Sequence, residues 1–433
     1  MSPPKTKLIR GVVLLALLSR VAPVFGVDTP AAAPAASSAP APAATATALP
    51  PLPAPMNVPK PAAATDAPYQ PQPILPGGVV VPLFPPDSPY LKKERLKEAE
   101  VYNMNGAMPG RIGSIVNIHN PSIEFHAGVR SLNTGMAVIV VAGGGHRTLN
   151  VGGEGADFVH FFANYGINTI ILRNRMRVDG YDAKTDSVYD AQQAIKVVRA
   201  YADKWQIDPK KIGIMGFSAG AELATPAGIA WAEFDQKNDV PGNPFAKISS
   251  RPDFVGVIYP GPTPFAAPRG PNADPEWKAP AIPRDTPPSF IVCAGWGDRG
   301  HAIWANEWFT AMLNADIPNV EMHIYARGRH PGDQPFAGDP PSTGGLTNRG
   351  GISLGTWHER FIDWSRDLGL LGKPGVETIA TRDAIANINR PLPGRSGGGG
   401  GGGRRGGAGA PGAPGAAAAP GGAAPAPGAA KAP

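Results

Sequence analysis

Gly216, Ser218 and Gly220 form a Gly-x-Ser-x-Gly pattern between a short apolar segment and a helix-forming stretch. A serine between two small residues at a sharp strand-to-helix turn is held in a strained backbone that exposes its hydroxyl, beside helix N-terminal amides that favour negative charge. The pentapeptide alone is weak evidence. A predicted strand over 212–215 and a predicted helix over 219–230 favour a nucleophile over a helix-capping serine.

A serine nucleophile needs a general base, and the base needs an orienting acid. His330 follows a predicted strand over 320–325 and stands at the head of a long loop, so it is the predicted base. Asp298 follows a predicted strand over 289–293 and is the predicted acid, whereas Asp316 shapes a helix-to-strand turn. The order Ser, Asp, His is the one that α/β hydrolases use. The other downstream histidines fit less well, because they are predicted at a helix start, within a strand and in the last helix: His301, His323 and His358.

A developing oxyanion needs preorganised N–H donors. One predicted donor is the backbone amide of Ala219, directly after the nucleophile. The others are Gly144 and Gly145 in the loop that follows the apolar run Met136 to Val141, where glycines let the backbone approach a substrate closely. A phosphate loop is excluded, because neither Gly-x-x-x-x-Gly-Lys-[Ser/Thr] nor Gly-x-Gly-x-x-Gly is present after this strand.

No metal site and no cofactor are expected. The single cysteine, Cys293, excludes an intramolecular disulfide and any multi-cysteine zinc site. The remaining candidate ligands are scattered and contain no His-x-x-x-His pair: His146, Glu154, Asp157 and Asp190. We interpret Asp157 and Asp190 as charges on a helix surface or in a loop.

The elements that position these residues alternate between apolar runs and amphipathic stretches. This pattern predicts an α/β fold with a mostly parallel, doubly wound sheet and helices on both faces. The predicted strands lie at 136–141, 168–172, 212–215, 254–259, 289–293 and 320–325, and the predicted helices at 154–164, 188–205, 219–230, 304–313 and 357–370. Two loops rich in proline and glycine, 261–288 and 331–355, follow predicted strands, where open α/β sheets place their ligands.

The composition divides the chain into four regions. Residues 1–26 have a basic start and a short apolar run, which predict a signal peptide; an uncleaved N-terminal anchor is the alternative. Residues 27–79 read as a disordered linker rich in alanine and proline, 80–390 as one catalytic domain and 391–433 as a disordered tail rich in glycine, alanine and proline. The formal net charge of +6 resides on the two ends, because 27–390 carries −2. Nucleic acid is therefore not an expected partner.

Four blocks carry a resemblance to a known family: "VVAGGGHRTLNVGGEGADFVHFFANYGINTIILRNRM", "DAQQAIKVVRAYADKWQIDPKKIGIMGFSAGAELA", "PPSFIVCAGWGDRG" and "VEMHIYARGRH". In order and spacing they resemble the secreted α/β-hydrolase esterases, and more narrowly the acetylxylan-esterase-like and bacterial feruloyl-esterase-like group, from Ile115 to Leu370. Family members commonly have Pro-Gly-Gly-Gly-Tyr where this chain has Ala142 to His146, and Gly-Gly-His-Gly-Phe where it has Gly328 to Gly332. Both departures concern the walls of the pocket, with His146 replacing an aromatic at its mouth.

The resemblance implies a serine carboxylic-ester hydrolase that removes acetyl or other acyl groups from a polysaccharide or oligosaccharide. The alternatives are a serine peptidase of the same fold and a non-catalytic surface-binding protein. Trp296, Trp304 and Trp357 are either aromatic faces for sugar rings or core residues. The signal peptide predicts a secreted or periplasmic protein, or one associated with the cell surface, without stable membrane insertion after cleavage.

Overall fold

The computed structural model describes residues 48–56, 67–106, 108–268, 274–334, 345–346 and 353–390. The predicted signal peptide and the predicted tail lie outside the described residues, as do 27–47 and 57–66 of the predicted linker. Over the ranges that are described, no helix is long and apolar enough to cross a bilayer.

An eight-stranded sheet forms the centre of the fold, with the strand order β1-β4-β6-β5-β7-β8-β9-β10. The pairs from β6 to β10 are parallel, and β4 is antiparallel to both of its neighbours. A separate antiparallel pair is formed by β2 and β3. The strands are Val79–Pro82 (β1), Val101–Met104 (β2), Ile112–Val116 (β3), Ser122–His126 (β4), Ala137–Val141 (β5), Asn168–Arg173 (β6), Ile212–Phe217 (β7), Phe254–Ile258 (β8), Ser289–Trp296 (β9) and Glu321–Arg327 (β10).

Helices cover both faces of this sheet. The α-helices are Asp157–Ala163 (α1), Asp186–Ala200 (α2), Ala202–Trp205 (α3), Ala221–Ile229 (α4), Trp231–Asn238 (α5), Arg299–Asn314 (α6), Trp357–Asp367 (α7) and Ile379–Asn389 (α8). A π-helical turn at Gly152–Ala156 precedes α1, and 3₁₀ turns include Ser218–Gly220 before α4. The predicted fold class, a mostly parallel doubly wound α/β sheet, is confirmed.

The alternation of side chains along β5 shows how the two cores arise. Ile139 and Val141 point to one core, which is shared with α2, α4 and α6, whereas Val138 and Val140 point to the other, which is shared with α1 and α7. Both sets are buried, so a central parallel strand reads as a continuous apolar run rather than an alternating one.

The predicted linker needs correction at two segments, 48–56 and 67–79. Leu49 and Leu52 pack against the core, and the Tyr201 hydroxyl donates to the carbonyl of Pro50 at 2.6 Å. The backbone amides of Ile74 and Leu75 donate to the Glu124 carboxylate at 2.6 and 3.0 Å. These residues are therefore part of the folded unit. Their apolar contacts and the hydrogen bonds to one buried carboxylate offset the conformational entropy that is lost when the segments are ordered.

Two buried ion pairs lie at the carboxyl end of β6. Arg173 donates to Glu124 at 2.6 Å and Arg175 donates to Asp190 at 2.8 Å, and all four side chains are fully buried. The interpretation of Asp190 as a surface or loop charge is therefore wrong. Asp157 is partly exposed and pairs with Arg111. Asp190 also accepts from the Arg175 backbone amide, so this carboxylate fixes the chain as it leaves β6.

Cys293 lies in β9 and is fully buried, and burial raises the pKa of its thiol to about 12. Because the thiolate is the reactive form, the native protein should resist alkylation. Iodoacetamide at pH 8 is expected to leave the folded chain unmodified and to add one carbamidomethyl group in guanidinium, as read by intact-mass spectrometry. Labelling of the native chain at the denatured rate would contradict the burial.

Candidate active site

Ser218 stands at the turn between β7 and α4 with φ of +50°, a left-handed conformation that non-glycine residues rarely adopt. The two flanking glycines make this turn possible. A Cβ on Gly216 would lie 2.3 Å from the Gly220 carbonyl oxygen, and one on Gly220 would lie 2.1 Å from the Val141 carbonyl oxygen. The pattern is therefore a steric requirement of packing the turn against β5.

Replacing Gly220 by alanine tests this requirement. The new Cβ meets backbone atoms of β5, which cannot rotate away, so the turn or the strand must shift. We expect a loss of about 1–3 kcal/mol in the free energy of unfolding, together with a fall in any activity that depends on Ser218. Urea denaturation measures the first effect. Gly106→Ala, at an exposed position without positive φ and with open space around its Cβ, is the control for loss of a glycine without overpacking.

The structure brings Ser218, His330 and Asp298 together in one hydrogen-bonded chain. The Ser218 Oγ lies 2.8 Å from His330 Nε2, and His330 Nδ1 lies 3.1 Å from Asp298 Oδ2. Each side chain comes from a segment that follows a parallel strand: β7, β9 and β10. Because parallel strands end at the same edge of a sheet, residues distant in sequence meet there.

The protonation state follows from the Asp298 carboxylate. Burial acts to raise the pKa of Asp298, but hydrogen bonds from His301 and His330 outweigh it and lower the pKa to about 2. An ionised carboxylate can only accept hydrogen bonds, so Nδ1 of His330 carries the proton. Nε2 is then free to accept the hydroxyl proton of Ser218, which is the arrangement a general base requires.

The glycine loop after β5 lies against Ser218. Gly144 and Gly145 have φ of +133° and +63° and line the same cavity as Ser218 and Ala219. The Gly143 amide, by contrast, donates to Glu154 Oε2 at 2.7 Å and is committed to that carboxylate. The predicted oxyanion donors therefore line the cavity that contains Ser218. The Gly143 amide instead supports the loop through its bond to Glu154.

Glu154 and Tyr259 support the site through hydrogen bonds and a ring contact with His330, a role that the sequence did not predict. The Tyr259 hydroxyl donates to Glu154 Oε1 at 2.8 Å and accepts from the Gly345 amide at 2.9 Å. The edge of the Tyr259 ring meets His330, with centroids 5.4 Å apart and planes at 87°. The only signal in the sequence was an acidic residue close behind a glycine loop.

His301 also lies in the site, although its position at a predicted helix start fits the role of the base less well than that of His330. It lies in the first turn of α6 and its Nδ1 is hydrogen-bonded to Asp298 Oδ1. Its ring stacks on His330 with centroids 3.7 Å apart and planes at 9°. Its spacing of three residues from Asp298 was the available signal, because side chains on a helix lean toward the N-terminus.

Asp298, His301 and His330 are also a group of described residues whose potential metal-ligand atoms lie within 4.8 Å of one another. In this structure the two carboxylate oxygens of Asp298 are hydrogen-bonded to Nδ1 of His301 and Nδ1 of His330. The metal candidates weighed in the sequence have other partners: Glu154 holds Gly143, Asp190 pairs with Arg175, and His146 Nε2 lies 3.3 Å from Glu222 Oε2.

A cavity of about 600 Å³ opens above Ser218. Both predicted loops contribute to it, through Gly261 and Pro262 and through 331–333. His146 is buried and does not line the cavity, and its Nε2 lies 3.3 Å from Oε2 of Glu222, which does. Of the three tryptophans, Trp304 lines the cavity, Trp357 is a core residue and Trp296 is 66% exposed at the end of β9.

Comparison with known proteins shows which family and which relatives this chain is similar to. Residues 130–259, which contain the glycine loop and Ser218, match the family BD-FAE. An acetylxylan esterase of Xylanibacter ruminicola is 34% identical over 255 residues, covering 54% of this chain and 45% of the relative. An endo-1,4-beta-xylanase B of Butyrivibrio fibrisolvens is 34% identical over 125 residues, covering 28% of this chain and 19% of the relative.

Among solved structures, an acetyl ester-xyloside bifunctional hydrolase from Caldicellulosiruptor lactoaceticus matches with a TM-score of 0.49 and 24% identity, covering 68% of this chain and 98% of that one. The chain spans less than half the length of the curated relatives it matches. The resemblance to esterase-like α/β hydrolases is confirmed, and residues 130–259 are similar to the BD-FAE family.

Proposed function

We propose that the protein is a serine carboxylic-ester hydrolase that works through Ser218, His330 and Asp298. The observation that carries this proposal is the unbroken chain of hydrogen bonds from Ser218 Oγ through His330 to a buried carboxylate, beside a glycine loop in one open cavity. The similarity to a protein named acetylxylan esterase supports it.

In the first half-reaction, Ser218 Oγ attacks the ester carbonyl carbon while its proton passes to His330 Nε2. The carbonyl oxygen becomes an oxyanion, which the amides of Ala219 and of Gly144 or Gly145 stabilise. Asp298 stabilises the imidazolium and fixes its orientation without itself taking the proton. Collapse of the intermediate breaks the ester C–O bond, and His330 returns the proton to the departing alcohol.

In the second half-reaction, water enters the space vacated by the alcohol and loses a proton to the same nitrogen of His330. Its oxygen bonds to the acyl carbon, and the Ser218 ester bond breaks. The proton then returns from His330 to Ser218 Oγ, which restores the free enzyme with the carboxylic acid released.

We propose acetyl groups on a xylan-like polysaccharide as the substrate. The support is twofold: both curated relatives bear names that refer to xylan, and the cavity is open, with polar groups such as Arg147, Asn150 and Asp333 beside Trp304. Sugars are commonly bound by hydrogen bonds together with an aromatic surface, which suits this lining.

Release of acetate and of ferulate from acetylated and feruloylated glycans tests the substrate. We expect acetate from acetylated xylan at a rate at least about tenfold above ferulate. Faster release of ferulate would overturn the choice of acyl group. Cleavage of peptide amides in preference to p-nitrophenyl acetate would favour a peptidase and overturn the esterase assignment.

We further propose that the protein is exported, on the strength of the basic and apolar composition of residues 1–26. N-terminal sequencing of protein recovered from the medium or the periplasm should give a chain that begins close to residue 27. Recovery of the whole chain, with Met1 intact, from the membrane fraction would favour the N-terminal anchor instead.

A further inference from the structure

His301 makes the catalytic group a cluster of four side chains rather than three. The Asp298 carboxylate receives one imidazole on each oxygen: His301 Nδ1 on Oδ1 and His330 Nδ1 on Oδ2. The two rings lie face to face at 3.7 Å, and the Trp304 ring is nearly perpendicular to that of His301, with centroids 5.3 Å apart and planes at 86°. His301 lines the same cavity as the nucleophile.

This arrangement limits how many protons the cluster can hold. Asp298 is ionised in the working pH range, so it attracts one positive charge on either ring. A second proton would place two like charges at stacking distance around a single carboxylate, which is strongly unfavourable. Groups that interact this closely titrate as a pair rather than as two independent sites.

We propose that His301 is a positioning residue that fixes the Asp298 carboxylate and the plane of His330, and that the two stacked imidazoles share one dissociable proton. The inference deepens the proposed function, on which its catalytic consequence rests. Other charged groups line the same cavity as the pair: Arg147 from the loop after β5, Glu154 from the π-helical turn before α1, Glu222 from α4 and Asp333 from the loop after β10.

The shared proton has a consequence for catalysis. During turnover His330 must take the proton of Ser218, and it does so readily only while His301 is neutral. His301 held against Asp298 also prevents the carboxylate from rotating away when His330 becomes charged. Removing His301 should therefore lower kcat more than it changes KM, because the loss falls on the charged intermediate.

Three variants separate the two contributions of His301. His301→Asn keeps an N–H donor near the position of Nδ1 but removes the ring, His301→Phe keeps a flat ring but removes the donor, and His301→Ala removes both. We expect kcat for p-nitrophenyl acetate to fall about ten- to a hundredfold in the alanine variant, with KM within about threefold of wild type, and the asparagine variant to recover most of the loss. His160→Asn, at an exposed histidine on α1, is the control.

Histidine NMR of the ¹³C- and ¹⁵N-labelled protein measures the sharing independently of activity. In the wild type, the resonances of His301 and His330 should move over the same pH interval, each with a fractional amplitude. In His301→Asn, His330 should titrate alone with full amplitude. Two independent, full titrations in the wild type would overturn the proposal, as would three variants with wild-type kcat.

The outcomes distinguish this inference from the proposed function. If the wild type hydrolyses no ester, the proposed function fails, and the NMR titration still decides whether the proton is shared. If Ser218-dependent hydrolysis is present but the His301 variants behave as wild type, only this inference fails. Thermal melting followed by circular dichroism identifies a variant that has not folded, and the asparagine and phenylalanine substitutions then carry the test.

Discussion

Replacing Ser218 by alanine is expected to reduce kcat for ester hydrolysis by about 10⁴- to 10⁶-fold, because the acyl-enzyme can no longer form. The fold should be unaffected, since alanine keeps the Cβ and the residue already adopts its left-handed φ of +50° without glycine. The measurement is the initial rate with p-nitrophenyl acetate at saturating substrate, together with the melting temperature. An organophosphonate should label the wild type once and the variant not at all.

Ser131→Ala is the matched control, because it removes the same hydroxyl from an exposed serine in the turn before β5. It should retain the wild-type rate and phosphonate labelling. If Ser218→Ala kept more than about one hundredth of the wild-type kcat, the nucleophile would lie elsewhere and the triad mechanism would be wrong.

Replacing Asp190 by alanine is expected to destabilise the fold strongly, by about 3–5 kcal/mol of unfolding free energy. Asp190 and Arg175 are fully buried and 2.8 Å apart. Removal of the acid leaves the buried guanidinium with only the partly exposed Asp186, at 3.4 Å, as a carboxylate partner. The Arg175 backbone amide loses its acceptor as well. Urea denaturation followed by tryptophan fluorescence measures the loss.

The double variant Arg175→Met with Asp190→Leu distinguishes the cost of losing the ion pair from the cost of leaving the Arg175 charge buried without Asp190. Because neither charge is then buried, we expect it to regain all but about 1–2 kcal/mol of the wild-type stability. Asp239→Ala, which removes one partner of the exposed pair with Lys247, should cost less than about 1 kcal/mol. A double variant no more stable than Asp190→Ala would show that packing, rather than the unpaired charge, causes the loss.

The central strands of the sheet could be predicted from sequence because each is buried on both faces. The short length of a run such as "AVIVV" in β5, and the glycines after it, favour a buried strand over a helix. The first four strands could not be predicted. In β4 the buried Glu124 breaks the apolar pattern, and only the fold reveals that Arg173 and the backbone of 74–75 compensate for it.

The candidate site, like the fold, could be predicted only in part from the sequence. Ser218, Asp298 and His330 each follow a strand and could be placed by chain order alone. The spacing of His301 from Asp298 indicated only their mutual contact. The contacts of His301 and Tyr259 with His330 could not be predicted, because they join segments that are distant in sequence. Glu154 was visible as an acid behind the glycine loop, but its partner Gly143 was not.

The segment 67–79 has a consequence for where the protein can be shortened. Its amides satisfy Glu124, and the carbonyl of Gln72 accepts from Arg173, so the edge of the sheet depends on a stretch of chain that composition assigns to a spacer. A fragment trimmed to residue 80 would begin inside β1 with that buried pair opened to water. Removal of 67–79 by limited proteolysis should therefore unfold the edge of the sheet and not merely shorten a linker. We expect the smallest unit that folds on its own to include this segment.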